Sequence, residues 1–309
     1  MMPRLILSSA IAVAAIAGGR PAPVRPAAAP EGYVTVSVDW LSQRLKEPDL
    51  VILEASNDAA YDKEHVPSAR LLDLSGPASL GATEKGAGPI DGLPSEAELH
   101  GKLEKLGISD GSHVIVVFEG QNFVMATRQI YLLKFAGVEN VSLLDGGLAA
   151  WKQGGHPVTA ALPVVTPGHF TRHIQPAYTA DYAYVQSHLH APHVRIVDAR
   201  NAVYYEGGST DMGMAGAGQM AAGHIPGAKN IPFNSLFDDA RLLLLTDSLK
   251  AIFRSAGVQP GDTVVAYCHV GLQATAVVLG ARALGIPVRM YVGSFHDWSA
   301  RKLPTEGGT

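Results

Sequence analysis

At 309 residues the chain has the length of about two domains, and 47% hydrophobic with 17% charged residues excludes an intrinsically disordered protein. A net charge of −4 without long basic runs argues against nucleic acid as a partner. The 12 histidines are scattered and there is one cysteine, so no metal-ligand cluster is offered and no cofactor is expected.

Taken from its start, residues 1–17 read as a signal peptide rather than as fold. Arg4 supplies a small positive head, Leu5 to Ala17 is a 13-residue apolar run, and Ala15-Ile16-Ala17 before Gly18 fits a small-x-small cleavage site. The run is short for a membrane span, although an uncleaved anchor is the competing reading. Residues 18–32, with Pro21, Pro23, Pro26 and Pro30 among alanines, read as a flexible linker. A periplasmic or secreted protein is expected, with no stable membrane association once the signal is removed. A lone cysteine there forms no internal disulfide and stays available for chemistry.

The remainder repeats itself. His65-Val66-Pro67-Ser68-Ala69 matches His224-Ile225-Pro226-Gly227-Ala228, Leu106-Gly107-Ile108 matches Ala256-Gly257-Val258, and Gly146 to Trp151 matches Gly293 to Trp298. The offsets are 159 (65 to 224), 150 (107 to 257) and 147 (146 to 293), a drift that loops of unequal length explain. Two copies of one α/β domain are expected, at 33–160 and 177–309, joined by a proline-bearing linker at 161–176. In each copy, apolar strands (Val51 to Leu53, Val114 to Phe118, Val141 to Leu144; Val194 to Val197, Thr263 to Tyr267, Val288 to Val292) alternate with helical stretches. That pattern predicts a parallel sheet covered by helices on both faces.

The cysteine, Cys268, stands where the strand Thr263–Tyr267 hands over to a helix beginning near Gln273, with Gly271 in the loop between. A loop closing onto a helix N-terminus gathers backbone N–H groups suited to an anion. The helix end alone favours a negative charge by roughly 0.3–1 kcal/mol, up to ~2 when partly buried. A thiolate ringed by amides and open to solvent is expected, and a sulfur enclosed by hydrocarbon would remove its chemistry. Asp198 and Arg200 follow the strand Val194–Val197, at the edge where open α/β sheets place ligands. Arg200 alternatively pairs with Asp198. His224 and His65 read as ties for their loops, and Trp151 and Trp298 as packing residues. The glycine-rich insertion Gly208 to Gly218 lacks a phosphate-loop ending and reads as a mobile surface loop.

Tyr267-Cys268-His269-Val270-Gly271-Leu272-Gln273-Ala274, with Asp198-Ala199-Arg200, His224 to Ala228 and Gly293 to Trp298 in that order, resembles the second domain of a two-domain (tandem) rhodanese-type sulfurtransferase, the thiosulfate/3-mercaptopyruvate sulfurtransferase family. The resemblance implies a catalytic second domain, a non-catalytic first one and a persulfide on Cys268. It implies an anionic donor held by Arg200 and the loop residues His269, Val270, Gly271, Leu272 and Gln273. It also implies a thiol or cyanide as acceptor. The loop has no fixed positive charge; thiosulfate is expected over 3-mercaptopyruvate as donor, with attraction resting on Arg200 and backbone dipoles. His269 reads either as a pH-sensitive charge or as a polar side chain facing solvent. In the first copy Phe118 falls opposite Cys268 without a gap, and Glu119 with a one-residue slip; the family's acidic residue near this position favours Glu119. A phosphatase-type Cys-(x)5-Arg is excluded because Ala274 stands six after Cys268. A persulfide carrier or thiol-sensing module without turnover is the alternative function.

Overall fold

The computed structural model describes residues 34–74, 92–120, 122–210 and 220–307. The expected signal peptide and linker, and most of the glycine-rich insertion, lie outside them. The first half contains β1 (Thr35–Val36), α1 (Val38–Ser42), β2 (Leu50–Ala55), α2 (Asp58–Lys63), β3 (Arg70–Leu71), α3 (Glu96–Lys105), β4 (His113–Phe118), α4 (Phe123–Phe135), β5 (Asn140–Leu144) and α5 (Gly147–Gln153). The second contains β6 (Thr179–Ala180), α6 (Tyr182–Ser187), β7 (Val194–Asp198), α7 (Ala202–Tyr205), β8 (Lys229–Asn230), α8 (Thr246–Ser255), β9 (Thr263–Tyr267), α9 (Ala274–Ala283), β10 (Val288–Tyr291) and α10 (Ser294–Ala300).

Each half builds a five-stranded sheet, in the order β1-β5-β4-β2-β3 and β6-β10-β9-β7-β8, and every strand pair is parallel. The central strands explain this choice. Val114 to Phe118 and Val264 to Tyr267 are apolar without alternation and buried throughout, as strands covered on both faces must be. The register is repeated too: Glu54 sits opposite Val117 in the first half and Asp198 opposite Tyr267 in the second. The carbonyls of Glu54 and Asp198 accept equivalent N–H groups, from Leu72 and Ile231. Phe118 is therefore the counterpart of Cys268, one residue beyond those pairs, and Glu119 is the counterpart of His269. The one-residue slip that favoured Glu119 is not made, because the strands match without a gap.

The two halves share one apolar core. Phe123, Ala126, Ile130 and Tyr131 of α4 belong to the same buried cluster as Ala274, Val277 and Val278 of α9 and Leu236, Phe237 and Leu243 before α8. Phe123 packs on Phe237 at 5.0 Å between ring centroids, and the Thr127 and Thr275 hydroxyls meet at 2.8 Å. Fully burying one such aromatic is worth about 1.5–3 kcal/mol, so the domains support each other. On the outer faces separate clusters enclose Trp151 and Trp298. Both indoles serve their own domain rather than the interface, donating at 2.8 Å to the carbonyls of Pro157 and Pro304 respectively. The segment 161–175 is strapped onto α3: Gly168 N–H donates to the Glu104 carbonyl at 2.8 Å, and a side chain at 168 would collide with Ile108. Among the described residues no helix is long and apolar enough to cross a membrane.

Candidate active site

β9 delivers Cys268 to the C-terminal edge of the second sheet, and residues 269–273 bridge to α9. Gly271 takes φ +81°, where a Cβ would stand 2.9 Å from the Val292 carbonyl, so the loop closes only with glycine there. Thr275 and Ala276 donate their N–H groups back to the Leu272 and Gln273 carbonyls, which starts the helix. Among the described residues no backbone acceptor takes the N–H groups of residues 269–274, which leaves a run of donors at the head of α9.

The sulfur does not stand open to solvent as expected. Cys268 is 0% exposed and is part of the shared apolar core. The physical reason is that its side chain joins the cluster built from both domains, while α10 ties down the backbone of the loop. Phe295 N–H donates to the Cys268 carbonyl at 3.0 Å and His296 N–H to the His269 carbonyl at 2.9 Å, which draws the loop down over the strand end. The enclosure is not all hydrocarbon, however. Two buried guanidinium groups, Arg200 and Arg128, lie close enough to Cys268 for their charges to interact with it.

Arg200 follows β7 and is almost fully engaged by Asp198. Its Nε donates at 3.0 Å to both carboxylate oxygens, Nη2 donates to Oδ2 at 2.6 Å, and Nη2 also reaches the Gly223 carbonyl at 2.8 Å. The guanidinium stacks on Phe295 at 4.0 Å. The pairing alternative therefore describes its hydrogen bonds, while its charge still acts on the sulfur. Asp198 raises the already high Arg200 pKa further against the opposing effect of burial.

Arg128 was not singled out in the sequence. It sits on α4 of the first domain, 2% exposed, with Nη1 donating to the Gly271 carbonyl and Nη2 to the Gly92 carbonyl, each at 3.3 Å. The available signal was Arg128-Gln129 interrupting an otherwise apolar helix, which marks a polar side chain held inside rather than on a wet face. Ser294 was missed as well. Its φ is +53°, its side chain is buried, and its hydroxyl accepts the Cys268 N–H at 3.3 Å while donating to the Tyr291 carbonyl at 2.9 Å. The signal was the replacement of Gly147 in the first copy by a serine in the second.

His269 matches neither expectation for it. The ring is buried, 4.6 Å edge-on from the Tyr204 ring, with Nδ1 3.2 Å from Gln273 Oε1. Burial first, and then the Arg200 charge, push its pKa down to about 4, so it is neutral near pH 7. Val270 is nearly buried, and Leu272 and Gln273 are half-buried. His224 and His65 do tie their loops: Nδ1 of each contacts a carbonyl, of Tyr205 at 2.7 Å and Tyr61 at 2.8 Å, beneath a stacked tyrosine ring.

In the first half no thiol stands at the equivalent place. Phe118 replaces the cysteine and Ser56 occupies the position of Arg200. Glu54, in the place of Asp198, is buried with Oε1 unpartnered, and burial raises its pKa to about 7.

The rhodanese-like domain matches twice, over residues 37–154 and 181–301. A 3-mercaptopyruvate sulfurtransferase of Escherichia coli K12 is 30% identical over 284 residues, 88% of this chain and 97% of that protein. A thiosulfate sulfurtransferase of Pseudomonas aeruginosa is 31% identical over 264 residues, covering 84% and 91%. The crystal structure of the 3-mercaptopyruvate sulfotransferase SseA from Escherichia coli superposes with a TM-score of 0.71 at 28% identity, over 85% of this chain and 98% of that one. Two rhodanese-like domains in series, a parallel five-stranded sheet in each and relatives matched over nearly their whole length lead to one conclusion: the chain belongs to the rhodanese family, as a two-domain sulfurtransferase of the thiosulfate/3-mercaptopyruvate type.

Proposed function

We propose that Cys268 carries the transferred sulfur. Its thiolate attacks the sulfane sulfur of a small anionic donor, a new S–S bond forms, and the donor leaves with the electron pair of the bond it loses, as sulfite when the donor is thiosulfate. A thiol or cyanide then takes the outer sulfur and restores the cysteine. The supporting observation is the geometry of the loop after Cys268: Arg128 of the first domain donates to the Gly271 carbonyl, and the N–H groups of residues 269–273 have no backbone acceptor, so one loop gathers a buried guanidinium and a run of donors.

Thiosulfate is the donor we favour over 3-mercaptopyruvate, because a dianion gains more than a monoanion from the Arg128 guanidinium and the loop N–H groups. Relatives at near-equal identity carry both names. The burial of Cys268 adds a requirement: the residues over the sulfur move when donor enters. We further propose that residues 1–17 direct export to the periplasm or beyond. Steady-state turnover with each donor at matched concentration, using cyanide as acceptor, tests the donor assignment. A kcat/KM for 3-mercaptopyruvate well above that for thiosulfate overturns the preference and leaves the chemistry standing.

A further inference from the structure

Five non-glycine residues take positive φ among the described residues: Ser68, His193, Arg241, Ser294 and Lys302. Ser294, at 0% exposure, is the buried one of the five. A serine at φ +53° is strained, and such a conformation persists only where its surroundings hold it, most often at functional sites. At the matching place in the first copy stands Gly147, which takes φ +57° without a side chain to strain. A Cβ there would stand 2.3 Å from the Phe118 carbonyl. The half that holds the cysteine therefore carries a side chain where the other half has no room for one.

The Ser294 hydroxyl accepts the Cys268 N–H at 3.3 Å and donates its hydrogen to the Tyr291 carbonyl at 2.9 Å. The other end of that same peptide is held as well, because the Tyr267 carbonyl accepts the Ala199 N–H at 2.8 Å. On the far side, the Cys268 carbonyl accepts the Phe295 N–H at 3.0 Å, a first-turn donor with no partner inside α10. Each peptide is planar, so pinning both of those that flank Cys268 fixes its φ and ψ, and with them the direction of its Cα–Cβ bond. Two of the three pins are backbone groups that any sequence supplies. The third exists only because residue 294 has a hydroxyl.

We propose that Ser294 is a positioning residue for sulfur transfer: it orients Cys268 through the peptide N–H, and the fold bears backbone strain to place it there. Its role rests on Cys268 as the sulfur carrier stated under Proposed function, and adds to that site a residue outside the 269–273 loop. Displacement at the donor's sulfane sulfur needs Sγ in line with the bond that breaks. A cysteine free to turn therefore loses rate and keeps donor affinity.

Two substitutions in the full-length protein separate orientation from stability. Ser294→Ala keeps the strain and deletes the hydroxyl; Ser294→Gly deletes both. Urea unfolding should place the midpoint of the Gly protein above that of the Ala protein, since only glycine is relaxed at φ +53°. Persulfide loading is then followed by rapid quenching and intact mass at a series of thiosulfate concentrations. Both variants should load at least about fivefold more slowly than wild type at saturation, with the half-saturating concentration within about twofold of wild type. A merely structural serine would make activity follow stability, with the Gly protein loading faster than the Ala protein and close to wild type. A Gly protein that loads within about fivefold of wild type overturns the inference alone, as does a loss confined to the half-saturating concentration. If the Ala protein does not fold, the Gly protein carries the test by itself. A wild type that never gains sulfur overturns the Cys268 reading and this one with it.

Discussion

Glu54→Gln is the substitution whose effect the structure fixes most closely. Glu54 occupies in the first domain the place that Asp198 holds in the second, opposite Val117 as Asp198 is opposite Tyr267. Asp198 has Arg200 as counter-ion; Glu54 has Ser56 at that position, and among the described residues no cation pairs with it. One oxygen accepts the Val66 N–H at 3.4 Å and the other has no partner. Burial dominates, with the charges of Glu119 and Glu64 adding to it, and the pKa rises from 4.5 to about 7. A carboxyl raised in the folded state binds its proton more tightly there than in the unfolded chain. Its contribution is fully present below pH 4.5 and is lost as pH climbs through about 7. At 1.36 kcal/mol per pKa unit the loss comes to about 3 kcal/mol. The substituted glutamine keeps the shape and the acceptor for Val66 but cannot ionise. Urea unfolding of both proteins from pH 4 to pH 8.5 should therefore give equal stabilities at the acid end and a variant more stable by ~3 kcal/mol at the alkaline end. Other titrating groups cancel in the difference. A stability difference that does not grow with pH would refute the assignment of a buried, uncompensated carboxyl.

Arg128→Met should lower kcat/KM for thiosulfate by about tenfold to a hundredfold, the equivalent of one hydrogen bond to a charged group, and Arg128→Lys by less; steady-state kinetics at saturating acceptor decide it. Gly271→Ala forces a side chain into φ +81° and against the Val292 carbonyl. It should cost ~1–3 kcal/mol in unfolding measurements and displace the sulfur loop, with a larger loss of activity than of stability. Asp198→Asn leaves the buried Arg200 charge without its counter-ion and should destabilise by about 3–5 kcal/mol in the same unfolding assay.

The central strands were legible because each holds a short, mostly apolar and β-branched stretch bounded by turns, and the tandem repeat showed the same set of them in both halves. The edge strands β1, β3, β6 and β8 have two residues each, too few to show any period, and only pairing with a neighbour defines them. Cys268 at a strand end before a helix could be read locally. Its burial could not, since the apolar cluster that Cys268 joins is assembled from both domains. Asp198-Ala199-Arg200 spacing allows the guanidinium either to turn back onto the carboxylate or to face a ligand, and packing on Phe295 decides for the carboxylate. Arg128 reaches the loop from 143 residues away in sequence, a contact no local pattern encodes. The neutral His269 likewise depends on Arg200 and Tyr204, which approach from other elements.

The most direct measurement is intact and peptide mass spectrometry of the purified protein after brief exposure to thiosulfate and rapid desalting. The account predicts a gain of one sulfur atom, confined to the peptide containing Cys268, absent in Cys268→Ser and removed by cyanide or thiol. A wild-type protein that turns over donor while its mass never changes, or a Cys268→Ser protein that keeps its activity, would contradict it.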